Sequence, residues 1–134
     1  MIVSDTNLLV QLWAGREHAA MAEAVWQRDP SWVAPMLWRS EFRNALVMFV
    51  RARRVDAERA AGIIADAEHD MEGREYGVRS ADVLTLALRS GCSAYDCEFV
   101  ALAEDLAVPL ITSDRAVLRA FPRVAVTPER YLRA

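Results

Sequence analysis

Short apolar segments that suit buried strands alternate with longer helical segments along the whole chain, and this alternation most constrains the fold. The strand-like segments are MIVSD, SWVAP, VPLITSD and RVAVT, and EGREYG is a turn or a short additional strand. The helical segments carry apolar residues at the i, i+3, i+4, i+7 spacing, as in Phe42, Ala45, Leu46 and Phe49. The sequence therefore predicts an α/β fold, a three-layer α/β/α sandwich with a short, mostly parallel central sheet.

Local signals also predict helix boundaries. Residues 16–28 are alanine-rich and predict a helix, Asp56 suits the cap of a further helix, and Gly91 suits the end of the helix that begins at Ser80.

Length and composition predict one domain over residues 1–134 with a single core, since 54% of the residues are hydrophobic and 26% are charged. The chain opens on strand residues without a cationic leader, and no apolar run approaches the roughly 18 residues that span a bilayer. We therefore expect a cytoplasmic protein in which Cys92 and Cys97 are reduced thiols.

The charge pattern restricts the partners and the enzyme class. The net charge is −3 and all 16 basic residues are arginine. A nucleic acid would therefore have to be held locally, by an arginine cluster or a metal ion, because the overall field repels it. Receiver domains and haloacid-dehalogenase-like phosphatases also open on a strand followed by aspartate, but each typically relies on a lysine, which this chain lacks.

Four acidic residues occupy positions that a parallel sheet would bring together. Asp5 and Asp114 each end a strand-like segment. Asp96 lies in the first turn of the helix that leads into the second of these strands, and Glu41 lies in the first turns of the helix after SWVAP. Ligands of such sheets bind beyond the carboxyl ends of the strands. If the two strands are neighbours, the Cα atoms of their aspartates would be roughly 5 Å apart.

Carboxylates that converge in this way need a cation or raised pKa values. Two of them about 5 Å apart repel by about 3 kcal/mol at an effective dielectric constant near 20. The donor set contains only oxygen, because we expect His18 and His69 to be buried in helical patterns away from the acids. Such a set favours Mg²⁺ or Mn²⁺ over Zn²⁺.

Each acid taken singly also has an ordinary structural interpretation. Asp96 and Asp114 suit helix caps, which accept hydrogen bonds from free N–H groups. Asp5 is harder to explain as a cap, because Asn7 is available to cap the first helix. Glu41 has an arginine two residues away on either side and suits half of a surface ion pair.

Four segments, IVSDTNLLV, RSEFRNAL, AYDCEFVALAEDLAVPLITSD and RAVLRAFP, resemble in order and spacing the PIN-domain ribonucleases, most closely the VapC-like toxins of toxin–antitoxin pairs. The resemblance covers nearly the whole chain. Its most specific part is a Tyr-Asp pair, an apolar helix and a proline-led strand that ends in Thr-x-Asp. It implies a PIN-like fold and an endoribonuclease that hydrolyses RNA with one or two Mg²⁺ or Mn²⁺ ions.

The resemblance also implies roles for individual residues. Asp5, Asp96 and Asp114 would hold the metal, with Glu41 as the further catalytic acid. The residues that would support the site by hydrogen bonding are Asn7 and Thr112. No acid follows at Leu118, so a fifth ligand of some relatives is missing and two tightly held ions are less well supported than one. Candidate phosphate contacts, which otherwise suit solvated surface, are Arg39, Arg43, Arg115 and Arg119.

A toxin of this family implies further partners: a small antitoxin that wraps a hydrophobic groove, and a second copy that forms a homodimer. The four tryptophans, which suit either such a groove or the core, are Trp13, Trp26, Trp32 and Trp38. The alternative function is a PIN-like module that binds RNA or a protein without cutting. The presence of all four acids argues against it, because a degenerate copy would be expected to lose some.

Overall fold

The computed structural model describes all residues from Met1 to Ala134 and contains one five-stranded parallel sheet flanked by helices. The strands run in the spatial order β3-β2-β1-β4-β5, and every neighbouring pair is parallel. The predicted α/β architecture is confirmed, with a sheet that is wholly rather than mostly parallel. The strands are β1 (Ile2–Ser4), β2 (Trp32–Pro35), β3 (Glu75–Tyr76), β4 (Leu110–Ile111) and β5 (Ala125–Val126).

Eight α-helices connect and follow these strands. They are α1 (Thr6–Ala14), α2 (Ala20–Arg28), α3 (Trp38–Arg51), α4 (Ala57–Asp70), α5 (Ser80–Ser90), α6 (Ala94–Leu106), α7 (Arg115–Ala120) and α8 (Pro128–Arg133). The expected helix over 16–28 is split into a 3₁₀ turn at Arg16–His18 and α2, and α8 was not predicted. None of the helices has the length and apolar character needed to cross a membrane.

The central strand β1 lies between β2 and β4. The chain therefore adds β2 and β3 on one side of β1 and later adds β4 and β5 on the other side. Val3 is in register with Val33 of β2 and with Leu110 of β4. Beyond the strand end, the backbone N–H of Asp5 donates to the carbonyl of Ile111 at 3.2 Å. The site expected at the carboxyl edge of the sheet therefore coincides with a point where connections diverge, the usual position of ligands in such sheets.

All three residues of β1 are buried, the apolar Ile2 and Val3 and the polar Ser4, so the strand lies inside the core. Trp32 and Trp38 are completely buried, and Trp38 meets Phe42 edge to face with 5.5 Å between ring centres. The core interpretation of the tryptophans is therefore correct for these two. Trp13 and Trp26 are partly buried against the same core.

Helix ends correct one prediction and confirm another. Asn7 is not the cap of α1, because it lies inside the helix and is exposed. Asp5 instead has the extended backbone that precedes a helix, and its carboxylate accepts from the N–H of Leu8 at 2.8 Å. Gly91 ends α5 as predicted, with a φ of 78° that favours glycine.

Both histidines are exposed and both cysteines are free. The prediction that His18 and His69 are buried is wrong, since both are exposed, one in the 3₁₀ turn and one at the end of α4. Neither histidine lines the acidic pocket described below, so their absence from the donor set stands. Cys92 and Cys97 are free thiols.

Candidate active site

Asp5 is anchored at both carboxylate oxygens. Oδ1 accepts from the N–H of Leu8 in α1, and Oδ2 accepts a 2.7 Å hydrogen bond from the hydroxyl of Thr112 beyond β4. Burial raises the pKa of Asp5, and the nearby charge of Asp114 raises it further, although the hydrogen bonds oppose both effects. Asp5 is therefore a helix cap and also a partly buried acid whose charge is unfavourable there.

Asp114 lies on the same edge because α7 begins directly after it. Its Oδ1 accepts from the N–H of Val117 at 3.0 Å, which caps α7. Its own N–H donates to the hydroxyl of Thr112 at 3.1 Å. The cap interpretation of Asp114 is thus correct, and one hydroxyl links the two aspartates that end β1 and β4.

Glu41 enters the site from the first turn of α3 and meets α1. The hydroxyl of Thr6 donates to Oε1 of Glu41 at 2.7 Å. Burial raises the pKa of Glu41, and the charge of Asp96 adds to this effect. The surface ion-pair interpretation of Glu41 is wrong, because no arginine contacts it and its partner is a hydroxyl. Sequence reasoning missed Thr6, whose role depends on the packing of α1 against α3.

Asp96 lies in the first turn of α6 but does not cap it. Ser93 is the cap, since its Oγ accepts from the N–H of Asp96 at 3.0 Å. Burial raises the pKa of Asp96, with a further contribution from the charge of Asp114. The pKa of Glu98, an acid that the sequence analysis did not single out, is raised by burial and by the charge of Glu41.

The four predicted acids line one pocket of about 490 Å³, which we call the acidic pocket. Its other polar lining residues are neutral, and no arginine or histidine is among them. These neutral residues are Thr6, Asn7, Ser40, Asn44, Tyr95 and Thr112. Four carboxylates therefore face one space without a cationic side chain, which leaves their charge uncompensated by the protein.

The donor chemistry of the acidic pocket fits a hard divalent cation. All of its charged groups are carboxylates, the oxygen donors that Mg²⁺ and Mn²⁺ prefer. The acids interact electrostatically in successive pairs, Asp5 with Asp114, Asp114 with Asp96, and Asp96 with Glu41. No three of them are gathered into a compact set of metal ligands. Mutual repulsion opposes such gathering until a cation is present.

The four arginines predicted to contact phosphate are placed differently from one another. Arg39 forms two hydrogen bonds with Glu75, at 2.6 and 2.9 Å, and Arg43 is 3.5 Å from Glu68. Neither lines the acidic pocket. The other two, Arg115 and Arg119, are exposed on α7, which begins at the pocket, and form no ion pair.

A groove of about 360 Å³ between α3 and α4 is lined mainly by apolar residues, as the expected antitoxin groove would be. No tryptophan lines it. Val47 in this groove is 41% exposed. The apolar residues that form it are Leu46, Val47, Val50, Ala57, Ala60, Ala61 and Ile64. The prediction that one or two tryptophans line an apolar partner groove therefore finds no support here.

Comparison with known proteins gives consistent results at the level of sequence and fold. The family model of the PIN domain matches residues 2–126. Ribonuclease VapC3 of Pyrobaculum aerophilum is 26% identical over 130 residues, which cover 95% of this chain and 98% of that protein.

Two solved structures share the architecture. PAE2754 from Pyrobaculum aerophilum superposes with a TM-score of 0.76 at 23% identity, over 98% of this chain and 92% of that chain. FitAcB from Neisseria gonorrhoeae gives a TM-score of 0.69 at 14% identity, over 96% of this chain and 99% of that chain. At these identities the two likenesses concern the fold alone.

Proposed function

The chain belongs to the PIN domain family, and on this premise we propose that it is an endoribonuclease that hydrolyses RNA phosphodiester bonds with Mg²⁺ or Mn²⁺. The observation that carries the proposal is the acidic pocket, where four carboxylates, each at the start of a different helix, meet no cationic side chain. Similarity to a protein named a ribonuclease over almost the full length supports the reaction class.

We assign the metal to Asp5, Asp96 and Asp114. Each has carboxylate lone pairs left after its hydrogen bonds, since each carboxylate oxygen has two lone pairs and Asp5, for example, accepts one bond at each oxygen. When bound, a divalent cation lowers the pKa of a water molecule and neutralises charge on the phosphate. Asn7 and Thr112 support the site, and only Thr112 does so through observed hydrogen bonds to both aspartates.

Glu41 has a different part in the proposal. One of its oxygens is held by Thr6, so the carboxylate has a fixed direction, while Oε2 remains able to accept a proton or orient a water molecule. The pKa of Glu41 is raised by burial, so Glu41 is a stronger base than an ordinary glutamate and better suited to accept a proton. The chain supplies no lysine and needs no protein nucleophile, because water is the attacking group.

The test is cleavage of single-stranded and structured RNA with Mg²⁺, Mn²⁺ or EDTA. Asp5→Asn and Asp96→Asn should abolish metal-dependent cleavage. Glu104→Gln, an exposed acid farther along the same helix as Asp96, should cleave like the wild type. Cleavage that persists both in EDTA and in the two aspartate variants would refute the proposal.

The alternative is a PIN-like module that binds RNA or protein without cutting. Calorimetry with Mn²⁺ separates the two, because the nuclease requires metal binding that disappears in Asp96→Asn. RNA binding with no metal binding and no cleavage would establish the binding module instead.

We further propose that the protein is the toxin of a toxin–antitoxin pair and inhibits translation or growth. Two copies of the chain form a homodimer, and a small antitoxin binds it. Similarity to a VapC-named relative supports this part of the proposal. A short open reading frame directly upstream of the gene is expected. Induction of the wild type should arrest growth, Asp96→Asn should not, and co-expression of the upstream frame should restore growth and alter the eluted mass. Unimpeded growth with active enzyme would indicate a housekeeping nuclease.

A further inference from the structure

A second pocket, of about 240 Å³, lies at the ends of α1 and α3 remote from the acidic pocket. We call it the basic pocket; its defining residues are Trp13, Arg16, Phe49, Arg54 and Arg59. We propose that the basic pocket binds a backbone phosphate of the single-stranded RNA whose scissile bond lies in the acidic pocket. This inference rests on the proposed function and adds a second contact for the same substrate.

The charges of the basic pocket suit an anion. None of its three arginines has a carboxylate within 4.0 Å, whereas Arg39 and Arg79 elsewhere are each paired with two acids. Glu17 is the one acid that lines the pocket, and its side chain is 75% exposed. Three guanidinium groups therefore face the pocket against one solvated carboxylate. In a chain with a net charge of −3, such a local cluster is what RNA binding requires.

Arg16 and Arg54 are the two arginines on which the inference depends. Arg59 also borders a neighbouring pocket that contains three acids, so its charge is shared. The acids of that neighbouring pocket are Asp56, Glu58 and Asp66. Trp13 lines both the basic pocket and this neighbouring pocket.

An aromatic ring orients the Arg54 side chain before any ligand binds, and left-handed backbone occurs at Arg16 and beside Arg54. The guanidinium of Arg54 lies 4.8 Å from the ring centre of Phe49, which leaves its N–H edge able to meet phosphate oxygens. Arg16 has a φ of 49°, and Arg53, next to Arg54, has a φ of 58°. Left-handed backbone is disfavoured in residues with a Cβ atom and concentrates at ligand sites.

The position of the basic pocket favours the RNA substrate over an acidic protein segment. Both pockets are built on α1 and α3, and the eight residues from Glu41 to Phe49 span about 12 Å of helix. In a stacked, helical strand one phosphate occurs per about 3.4 Å of axis, so at most three to four nucleotides cover this length. Between the two pockets these helices carry no acid, and their polar residues there are Asn7, Gln11, Arg43 and Asn44.

The experiment measures RNA binding by fluorescence anisotropy. All proteins carry Asp96→Asn, so that the RNA stays uncleaved during the measurement. An RNA of roughly twelve nucleotides reaches both pockets, whereas a dinucleotide without terminal phosphates has one phosphate and cannot occupy both. With Arg16→Ala and Arg54→Ala combined, we expect the Kd of the long RNA to rise about tenfold. Its slope of log Kd against log salt should fall by about 1.4, and the Kd of the short RNA should not change.

Two matched variants define the controls. Arg89→Ala removes an exposed arginine of α5 that forms no ion pair and should leave both affinities unchanged. Arg16→Lys with Arg54→Lys keeps the charges and should restore most of the salt slope, while circular dichroism verifies that every variant is folded. A purely structural role for the arginines would not produce this restoration.

Three outcomes would overturn the inference. They are an unchanged Kd and salt slope for the long RNA, an equal loss for the short RNA, and binding of an oligo-glutamate peptide by these arginines with no effect on RNA. The last result would assign the basic pocket to an acidic protein partner. Because the readout is binding, failure of the proposed function would be seen separately, as a lack of metal-dependent cleavage by the wild type.

Discussion

The hydroxyl of Thr112 donates a 2.7 Å hydrogen bond to Oδ2 of Asp5, so a residue following β4 fixes an acid that follows β1. The same hydroxyl accepts from the N–H of Asp114. One small side chain therefore orients two proposed metal ligands and completes their hydrogen bonding. It can do so because β1 and β4 are neighbours in register, with Ser4 opposite Ile111.

Thr112→Val should weaken both the metal site and the fold. Loss of the hydroxyl leaves a buried oxygen of Asp5 and the N–H of Asp114 without a partner, which costs about 1–3 kcal/mol of unfolding free energy. Calorimetry with Mn²⁺ and urea unfolding measure the two effects. Thr112→Ser should behave like the wild type, and Thr85→Val, which removes an exposed hydroxyl bonded to a helix carbonyl, should change neither. Equal losses in the serine and valine variants would contradict this role of the hydroxyl.

Asp5→Asn should abolish metal-dependent cleavage yet make the metal-free protein more stable at pH 7. Burial raises the pKa of Asp5, so the ionised acid destabilises the fold, whereas asparagine is neutral and remains a good helix cap. Asp5→Ala removes the cap as well and should lose about 1 kcal/mol relative to Asp5→Asn. Urea unfolding in EDTA provides the free energies. An asparagine variant less stable than the alanine variant would show that the cap is not what matters here.

The acidic pocket should make the stability of the metal-free protein fall as pH rises. The pKa values of Asp5, Glu41 and Asp96 are raised, so the folded protein binds more protons than the unfolded chain between the ordinary values of 3.8 to 4.5 and the higher folded values. This contribution is favourable at low pH and is lost as pH rises through that window.

The pH-dependent contribution of the acidic pocket is measured as a difference in unfolding free energy. The two proteins compared are the wild type and a variant that combines Asp5→Asn, Glu41→Gln and Asp96→Asn. Mn²⁺ should raise the Tm of the wild type more at pH 7 than at pH 5, because it binds the ionised acids. The triple variant should show no such shift. An equal effect of Mn²⁺ on both proteins would point to a metal site elsewhere.

Glu75 should contribute stability with the opposite pH dependence. The hydrogen bonds from Arg39 lower the pKa of Glu75, whose oxygen also accepts from Nε1 of the buried Trp38 at 2.7 Å. Its contribution is therefore present above the ordinary value of 4.5 and is lost as pH falls through the lower folded value.

Glu75→Ala should cost about 1–3 kcal/mol, because the Trp38 N–H is left without an acceptor. Glu75→Gln keeps that acceptor and should cost less, with the pH dependence removed. Glu68→Gln is the control, since its contacts with Arg39 and Arg43 are longer, at 3.7 and 3.5 Å. Unfolding free energies are measured from pH 3 to pH 7, and the assignment is contradicted if both Glu75 variants keep the wild-type pH profile.

Local pattern predicted the elements well where a single signal was strong. Asp56 caps α4 and Gly91 ends α5 as expected, because caps depend on the residue and its neighbours alone. The patterns were misleading for Asn7 and for the two histidines. An N-cap is decided by which residue takes the extended backbone at the end of β1, and helical spacing does not say which face a neighbouring helix covers.

The sequence by itself determined the alternation of strands and helices, the positions of the four acids at element ends, and the family to which the chain belongs. Only the tertiary structure decided that Thr6 holds Glu41, that Arg39 and Arg43 pair with acids away from the acidic pocket, and that Arg16 and Arg54 share a second pocket. The physical reason is range. Propensities and caps act within a few residues, whereas these contacts join residues brought together only when the helices pack on the sheet.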